Sequence, residues 1–114
     1  MPMNFPSEKE LRKHARRHWN EFNLPNEHAS AEYLALARAF CECECPTGTE
    51  ECTKTSGKIN RFCEASAEFA VMLPIYAYIL TFHVLHPRGF PGIPIEKTHA
   101  FDTNREYYQD DCGH

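Results

Sequence analysis

The sequence predicts an α+β domain in which N-terminal helices pack on an antiparallel β-sheet of three or more strands. Two observations predict this class. Apolar residues recur at helical spacing over the first 40 residues, and between residues 58 and 85 they alternate, as in half-buried strands. The chain has 114 residues, of which 42 % are hydrophobic and 25 % charged, so it fits one globular domain over residues 1–114.

Two helices are predicted in the N-terminal part. The first covers residues 7–22, because Ser7 can cap it and Glu10 stands three positions later, as in a capping box. The second covers residues 30–40 and is capped by Ser30. The residues expected to face the core are Leu11, Ala15, Trp19 and Phe22 in the first helix and Tyr33, Leu36, Ala37 and Phe40 in the second.

Three strands are predicted over residues 58–63, 68–73 and 75–85, with Pro74 as the break between the last two. Strict alternation divides the side chains of the third strand between two faces. The predicted core face holds Tyr76, Tyr78, Leu80, Phe82 and Val84, and the opposite face holds Ile75, Ala77, Ile79, Thr81 and His83. Thr81 and His83 should therefore lie side by side near the end of that strand.

The remaining segments are predicted to be connections and one short helix. Residues 41–57 are polar and cysteine-rich and should form an insertion rather than a core element, and residues 87–102 should form a Pro- and Gly-rich loop. Thr103 and Glu106 match a second capping box, which opens a short C-terminal helix.

No membrane segment or signal peptide is expected. Residues 69–85 lack formal charge, but Pro74 interrupts them, and their length of 17 residues is marginal for a bilayer span. Buried strands explain this stretch better. The first six residues carry no basic start followed by an apolar run, which is the pattern of a signal peptide.

Six cysteines in a short chain leave several options open. An even number suits disulfides in an oxidising compartment, and a bond from the cysteine-rich insertion to Cys63 or Cys112 is one option. The C-x-C-x-C spacing differs from the usual zinc knuckle, so zinc is a weaker alternative, and we predict neither a metal site nor a cofactor. The six are Cys41, Cys43, Cys45, Cys52, Cys63 and Cys112.

The charge pattern places a local basic patch on an acidic chain. The formal net charge of −4 argues against a protein that coats nucleic acid non-specifically. Residues 9–17 nevertheless form the most basic segment, and His14 and His18 share one face of that helix. Ala15 stands where a zinc-protease helix carries glutamate, so that chemistry is not expected.

The candidate active site combines His14 and His18 with Thr81 and His83. Cleavage of RNA through the ribose 2′-hydroxyl needs a base, an acid and donors around the phosphate. Imidazoles titrate near neutrality and suit both proton roles, and Arg and Lys suit the phosphate. The alternative is that His14 and His18 are ordinary polar residues on a solvated helix face.

Five segments follow one another in the order KHARRHWNEF, SAEYLALARAF, SGKINRF, EFAVM and ILTFHVLHP, with EYY near the end. This order resembles bacterial polymorphic-toxin nuclease domains of the barnase, EndoU, colicin and RelE superfamily, including toxins of contact-dependent growth inhibition. The Cys-rich stretch and the Leu73-Pro74-Ile75 break depart from the family pattern.

The resemblance implies a metal-independent endoribonuclease toxin, delivered from a producing cell into the cytoplasm of a target cell. Its substrate would be RNA, often tRNA, and a cognate immunity protein would block it. One histidine of the His14/His18 pair would act as base and the other, or His83, as acid, leaving a 2′,3′-cyclic phosphate. Thr81, Arg61 and Arg17 would hold the phosphate, and Lys13 and Lys58 would add further phosphate contacts.

Two alternatives come from other classes of protein. The first is a non-catalytic interaction module, built on Cys/His metal binding or stapled by disulfides. The second is a DNA-directed or metal-dependent nuclease, which is weaker because the sequence shows no paired carboxylates placed to hold magnesium.

Overall fold

The computed structural model describes residues 2–42 and 48–113, and within them the α+β class is confirmed. The helices are α1 (Glu8–His18), α2 (Ser30–Glu42) and α3 (Asn104–Cys112), and the strands are β1 (Thr49–Thr53), β2 (Ile59–Cys63), β3 (Glu68–Leu73) and β4 (Tyr78–Val84). Short 3-10 turns cover Trp19–Phe22, Pro74–Tyr76 and Ile95–Lys97. No helix in these two stretches is long and apolar enough to cross a membrane.

The four strands form one antiparallel sheet in the order β1-β2-β3-β4, with the helices on both faces. On one face, side chains of α1 and α2 pack against Ala70, Met72, Ile79 and Phe82. On the other face, Tyr108 of α3 packs in a second cluster with Phe62, Phe69 and Leu85. The sheet is therefore the middle layer, and β4 is an edge strand that α1 contacts.

A disulfide between Cys52 of β1 and Cys112 of α3 ties the second face together. This confirms a bond from the cysteine-rich segment to Cys112, whereas Cys63 forms none. Beside it, the buried Asn60 donates from Nδ2 to Asp111 Oδ2 at 2.6 Å. Cys43 and Cys45 lie outside the described residues.

The helix starts follow the sequence closely. The hydroxyl of Ser7 accepts a hydrogen bond from the Glu10 backbone N–H at 3.1 Å. Thr103 accepts one from the Glu106 backbone N–H at 3.1 Å and opens α3. Both caps satisfy N–H groups that have no partner inside the helix, which confirms the two predicted starts. The second helix begins at Ser30 itself, one residue before the start that a Ser30 cap implies.

Two expectations were wrong because contacts between distant parts of the chain, not the local sequence pattern, decide them. Residues 49–53, placed in an insertion, form strand β1 at the sheet edge, where each residue pairs with β2. Leu36 was placed in the buried stripe of the second helix but is 38 % exposed. The other three predicted residues of the stripe, Tyr33, Ala37 and Phe40, are buried.

The division of the last strand into two faces was also partly wrong. Val71 pairs with Thr81 but Met72 pairs with Ile79, so Leu80 is an extra residue and the strand carries a β-bulge. A bulge reverses the alternation on one side of it. Ile79 therefore faces the core together with Phe82, whereas Tyr76 is exposed. Thr81 and His83 remain on one face, as predicted.

Candidate active site

The end of α1 is joined to the edge strand β4 by one carboxylate. His18 is the last residue of α1, and Glu21 follows in the 3-10 turn that continues it. Glu21 accepts at Oε2 from His18 Nδ1 at 2.7 Å and at Oε1 from the Val84 backbone N–H at 2.8 Å. Glu21 thus orients the His18 ring and fixes it against β4.

The rings of His18 and His83 are stacked, with their centroids 5.0 Å apart. His83 also lies against Phe69, and its Nδ1 is 3.1 Å from the hydroxyl of Thr81. Each Nδ1 is therefore engaged by a protein group. Neither Nε2 has a hydrogen-bond partner among residues 2–42 and 48–113, so both remain available to a ligand.

These side chains line a cleft of about 500 Å³ between α1, β4 and the 87–102 loop. Arg17 and Lys97 contribute positive charge to its walls, and Glu96 contributes a carboxylate. His86 also lines the cleft and continues it into smaller depressions along the 87–102 loop. The cleft therefore presents three imidazoles, two cations and two carboxylates.

The Glu21 carboxyl group and the His83 imidazole, at the centre of the cleft, differ in charge. Burial, together with the charge of His18, lowers the pKa of His83 to about 4, against an opposing effect of Glu21. Burial tends to raise the pKa of Glu21, but the hydrogen bond from His18 and the charge of that ring bring it below its ordinary value. At neutral pH, His83 is neutral and Glu21 is an anion that can balance a protonated His18.

His14 stands apart from this pair, although the sequence grouped it with His18. Its ring centroid is 6.2 Å from that of His18 and 5.2 Å from that of Phe5, and it does not line the cleft. Its Nδ1 is buried without a hydrogen-bond partner in the described part of the chain. Burial, with the charge of His18, lowers the pKa of His14 to about 4. His14 therefore packs as a neutral ring behind the cleft.

The four basic residues expected to hold phosphate are not gathered together. Arg17 lines the cleft, whereas Lys13 lies on the exposed side of α1. Arg61 is buried on the sheet face covered by α1 and α2, where it donates to the Phe40 carbonyl and to Glu51, each at 2.7 Å. Lys58 lies in the β1–β2 turn, at the opposite end of the sheet from His83.

Four charged or ionisable residues of the cleft were not predicted from sequence: Glu21, His86, Glu96 and Lys97. Glu21 lies three residues after His18 inside a predicted helix, and that spacing alone indicates a possible pair. His86 and Lys97 carry no comparable local signal, because the fold of the 87–102 loop brings them to the cleft.

The residues needed for a metal site are not assembled in the described parts of the chain. Within residues 2–42 and 48–113, no three His, Cys, Asp or Glu side chains are arranged to hold a metal ion. Cys52, in the cysteine-rich segment for which zinc was the weaker alternative, is bonded to Cys112 and has no thiolate to offer.

Comparison with protein-family models, curated proteins and solved structures found no match for this chain. The toxin-family resemblance therefore stays a prediction, and the arguments below rest on the cleft itself.

Proposed function

We propose that the chain is an endoribonuclease that cleaves RNA through the 2′-hydroxyl, with His18 and His83 as its proton-transferring residues. The observation that carries the proposal is the contact between these two rings in a cleft that also holds Arg17 and Lys97. Two adjacent imidazoles in different charge environments can act as a base and an acid.

The different surroundings of the two rings support different roles for them. His83 is neutral at physiological pH, and when its Nδ1–H donates to Thr81, the Nε2 lone pair can accept the 2′-hydroxyl proton. His18, with the Glu21 carboxylate as counter-ion, donates a proton to the departing 5′-oxygen. The 2′-oxygen forms a bond to phosphorus as the 5′-oxygen leaves, and the products are a 2′,3′-cyclic phosphate and a 5′-hydroxyl.

The surrounding residues hold the reacting groups in place. Arg17 and Lys97 stabilise the charge that develops on the phosphate oxygens. Thr81 positions the ring of His83, and Glu21 positions the ring of His18. Arg61 has no part in this mechanism, because it lies on the other face of the sheet and bonds Glu51.

The biological role proposed with this activity comes from the family resemblance. A toxin domain delivered into the cytoplasm of a competing cell would attack RNA there, with tRNA as the expected target. An immunity protein that covers the cleft would protect the producing cell. Exposure of His18 and His83 in a complex with that protein would contradict this role.

The proposal is tested by incubating the domain with total RNA in the presence of EDTA. Wild type should give discrete fragments that end in a 2′,3′-cyclic phosphate, whereas His18→Gln and His83→Gln should be slower by at least about 100-fold. His28→Gln is the matched control, because His28 is 80 % exposed and lies outside the cleft. His14→Gln should keep activity if it folds.

Two results would overturn the proposal. Fragments with a 5′-phosphate and a free 3′-hydroxyl would show that the 2′-hydroxyl is not the nucleophile. Intact RNA with every variant, with and without added metal, would favour the non-catalytic interaction module stapled by the Cys52–Cys112 bond.

A further inference from the structure

The exposed side of α1 carries a row of cations that leads to the cleft. Lys9, Lys13 and Arg17 stand four residues apart, so they form one ridge that advances about 6 Å along the helix at each step. All three side chains are exposed. Arg17 lines the cleft beside His18, so the ridge ends where the proposed chemistry takes place.

The ridge has no counter-ions of its own in the described structure. Across residues 2–42 and 48–113, no carboxylate forms an ion pair with Lys9, Lys13 or Arg17. An ion pair on this helix joins Arg12 to Glu8 at 3.3 Å. An unbalanced row of cations on a chain with a net charge of −4 is a local attraction for a polyanion.

We infer that the ridge formed by Lys9, Lys13 and Arg17 binds successive phosphates of an RNA strand whose scissile phosphate lies in the cleft. This inference rests on the proposed function, and it deepens it: the RNA-binding surface extends over several nucleotides beyond the scissile phosphate. An acidic protein would also be attracted, but a charge repeated at regular steps and leading into the cleft matches a polynucleotide backbone better.

The same helix supplies a matched control. Arg12 and Arg16 also stand four residues apart and are exposed. They share one depression with Lys9 and Lys13 and also line a second one with Glu27 and His28 at the start of α2, but neither of them lines the cleft. The double variants Lys9→Gln/Lys13→Gln and Arg12→Gln/Arg16→Gln therefore remove equal charge from α1 along two different ridges.

Binding is measured without chemistry, by fluorescence anisotropy with a fluorescein-labelled 12-nucleotide RNA that carries 2′-O-methyl groups throughout. Losing two phosphate contacts should reduce the slope of log K against log salt by about 1.4, which is about a 25-fold loss of affinity at 0.1 M salt relative to 1 M. We expect this loss for Lys9→Gln/Lys13→Gln and a change below about twofold for Arg12→Gln/Arg16→Gln.

Cleavage of a dinucleoside monophosphate separates this inference from the proposed function. That substrate has one phosphate and cannot reach Lys9 or Lys13, so the ridge variant should cleave it as wild type does. The role of the ridge in RNA binding is overturned if both double variants lose RNA affinity equally, or if neither loses it. It is also overturned if the wild-type protein binds polyglutamate but not RNA. If wild type cleaves neither this dinucleotide nor total RNA, the proposed function falls, and the binding measurement still decides the ridge.

Discussion

Replacing His83 with glutamine should remove much of the acid sensitivity of the fold. His83 is packed between His18, Phe69 and the Thr81 hydroxyl, and its pKa is lowered from an ordinary 6.5 to about 4. The unfolded chain takes up a proton on this residue as the pH falls through 6.5, whereas the folded chain does so only near pH 4. The free energy of unfolding therefore falls as the pH drops through this window.

The magnitude follows from the two pKa values. Between pH 7 and pH 4.5, linkage gives a loss of about 2.5 kcal/mol from His83 alone. The titratable groups that act on His83 are His18, Glu21, His14 and His86. The pKa of Glu21 lies below its ordinary value, so its own contribution is lost mainly below this window. His14 has a lowered pKa as well and adds a loss of the same sign.

The assay is urea denaturation at pH 7 and pH 4.5, followed by the fluorescence of Trp19, the only tryptophan. Wild type should lose stability between the two pH values, and His83→Gln should lose about 2.5 kcal/mol less. His28→Gln serves as control because His28 is 80 % exposed. An unchanged pH dependence in His83→Gln would refute the reasoning, since it would show that His83 protonates freely in the folded state.

Two further predictions concern what holds α3 on the sheet. Reduction of the Cys52–Cys112 bond, which spans 60 residues of sequence, should lower the free energy of unfolding by about 4 kcal/mol. Urea denaturation with and without reductant measures this loss. The variant Cys52→Ser/Cys112→Ser should match the reduced wild type and be insensitive to reductant. Thr103→Ala removes the α3 cap and should cost about 1 kcal/mol in the same assay, whereas Thr55→Ala in the exposed β1–β2 turn should cost almost nothing. Equal losses in the two threonine variants would show that the Thr103 hydroxyl is not a cap.

Features set by neighbours in the sequence were predictable. The caps at Ser7 and Thr103 depend on a backbone N–H three residues away, and the Thr81–His83 contact depends on two positions of one strand. Strand β1 was missed because its residues, TEECT, lack an apolar alternation. It belongs to the sheet through pairing with β2 and the bond of Cys52 to α3, and neither can be read from local sequence.

The site was predictable only in part, for the same reason. The sequence identified both histidines that meet, but not that His18 rather than His14 reaches His83. That choice depends on how α1 is rotated against the edge strand. The family resemblance placed Arg61 near the phosphate. Strand pairing instead puts it opposite Ala70, on the sheet face that α1 and α2 cover. Register with the neighbouring strands decides the face of a strand residue, and the local pattern of one short strand does not fix that register.

The bulge at Leu80 connects the core to the proposed site. Without an extra residue, Ile79 and Phe82 would point to opposite faces, because they are three positions apart on one strand. With the bulge, both are fully buried under the helices, while Thr81 and His83 stay on the other face at the sheet edge. The hydrophobic burial of Ile79 and Phe82 thus stabilises the register that keeps His83 against His18. A strand without the bulge could bury Phe82 and present His83 to the cleft, but Ile79 would then point away from that core.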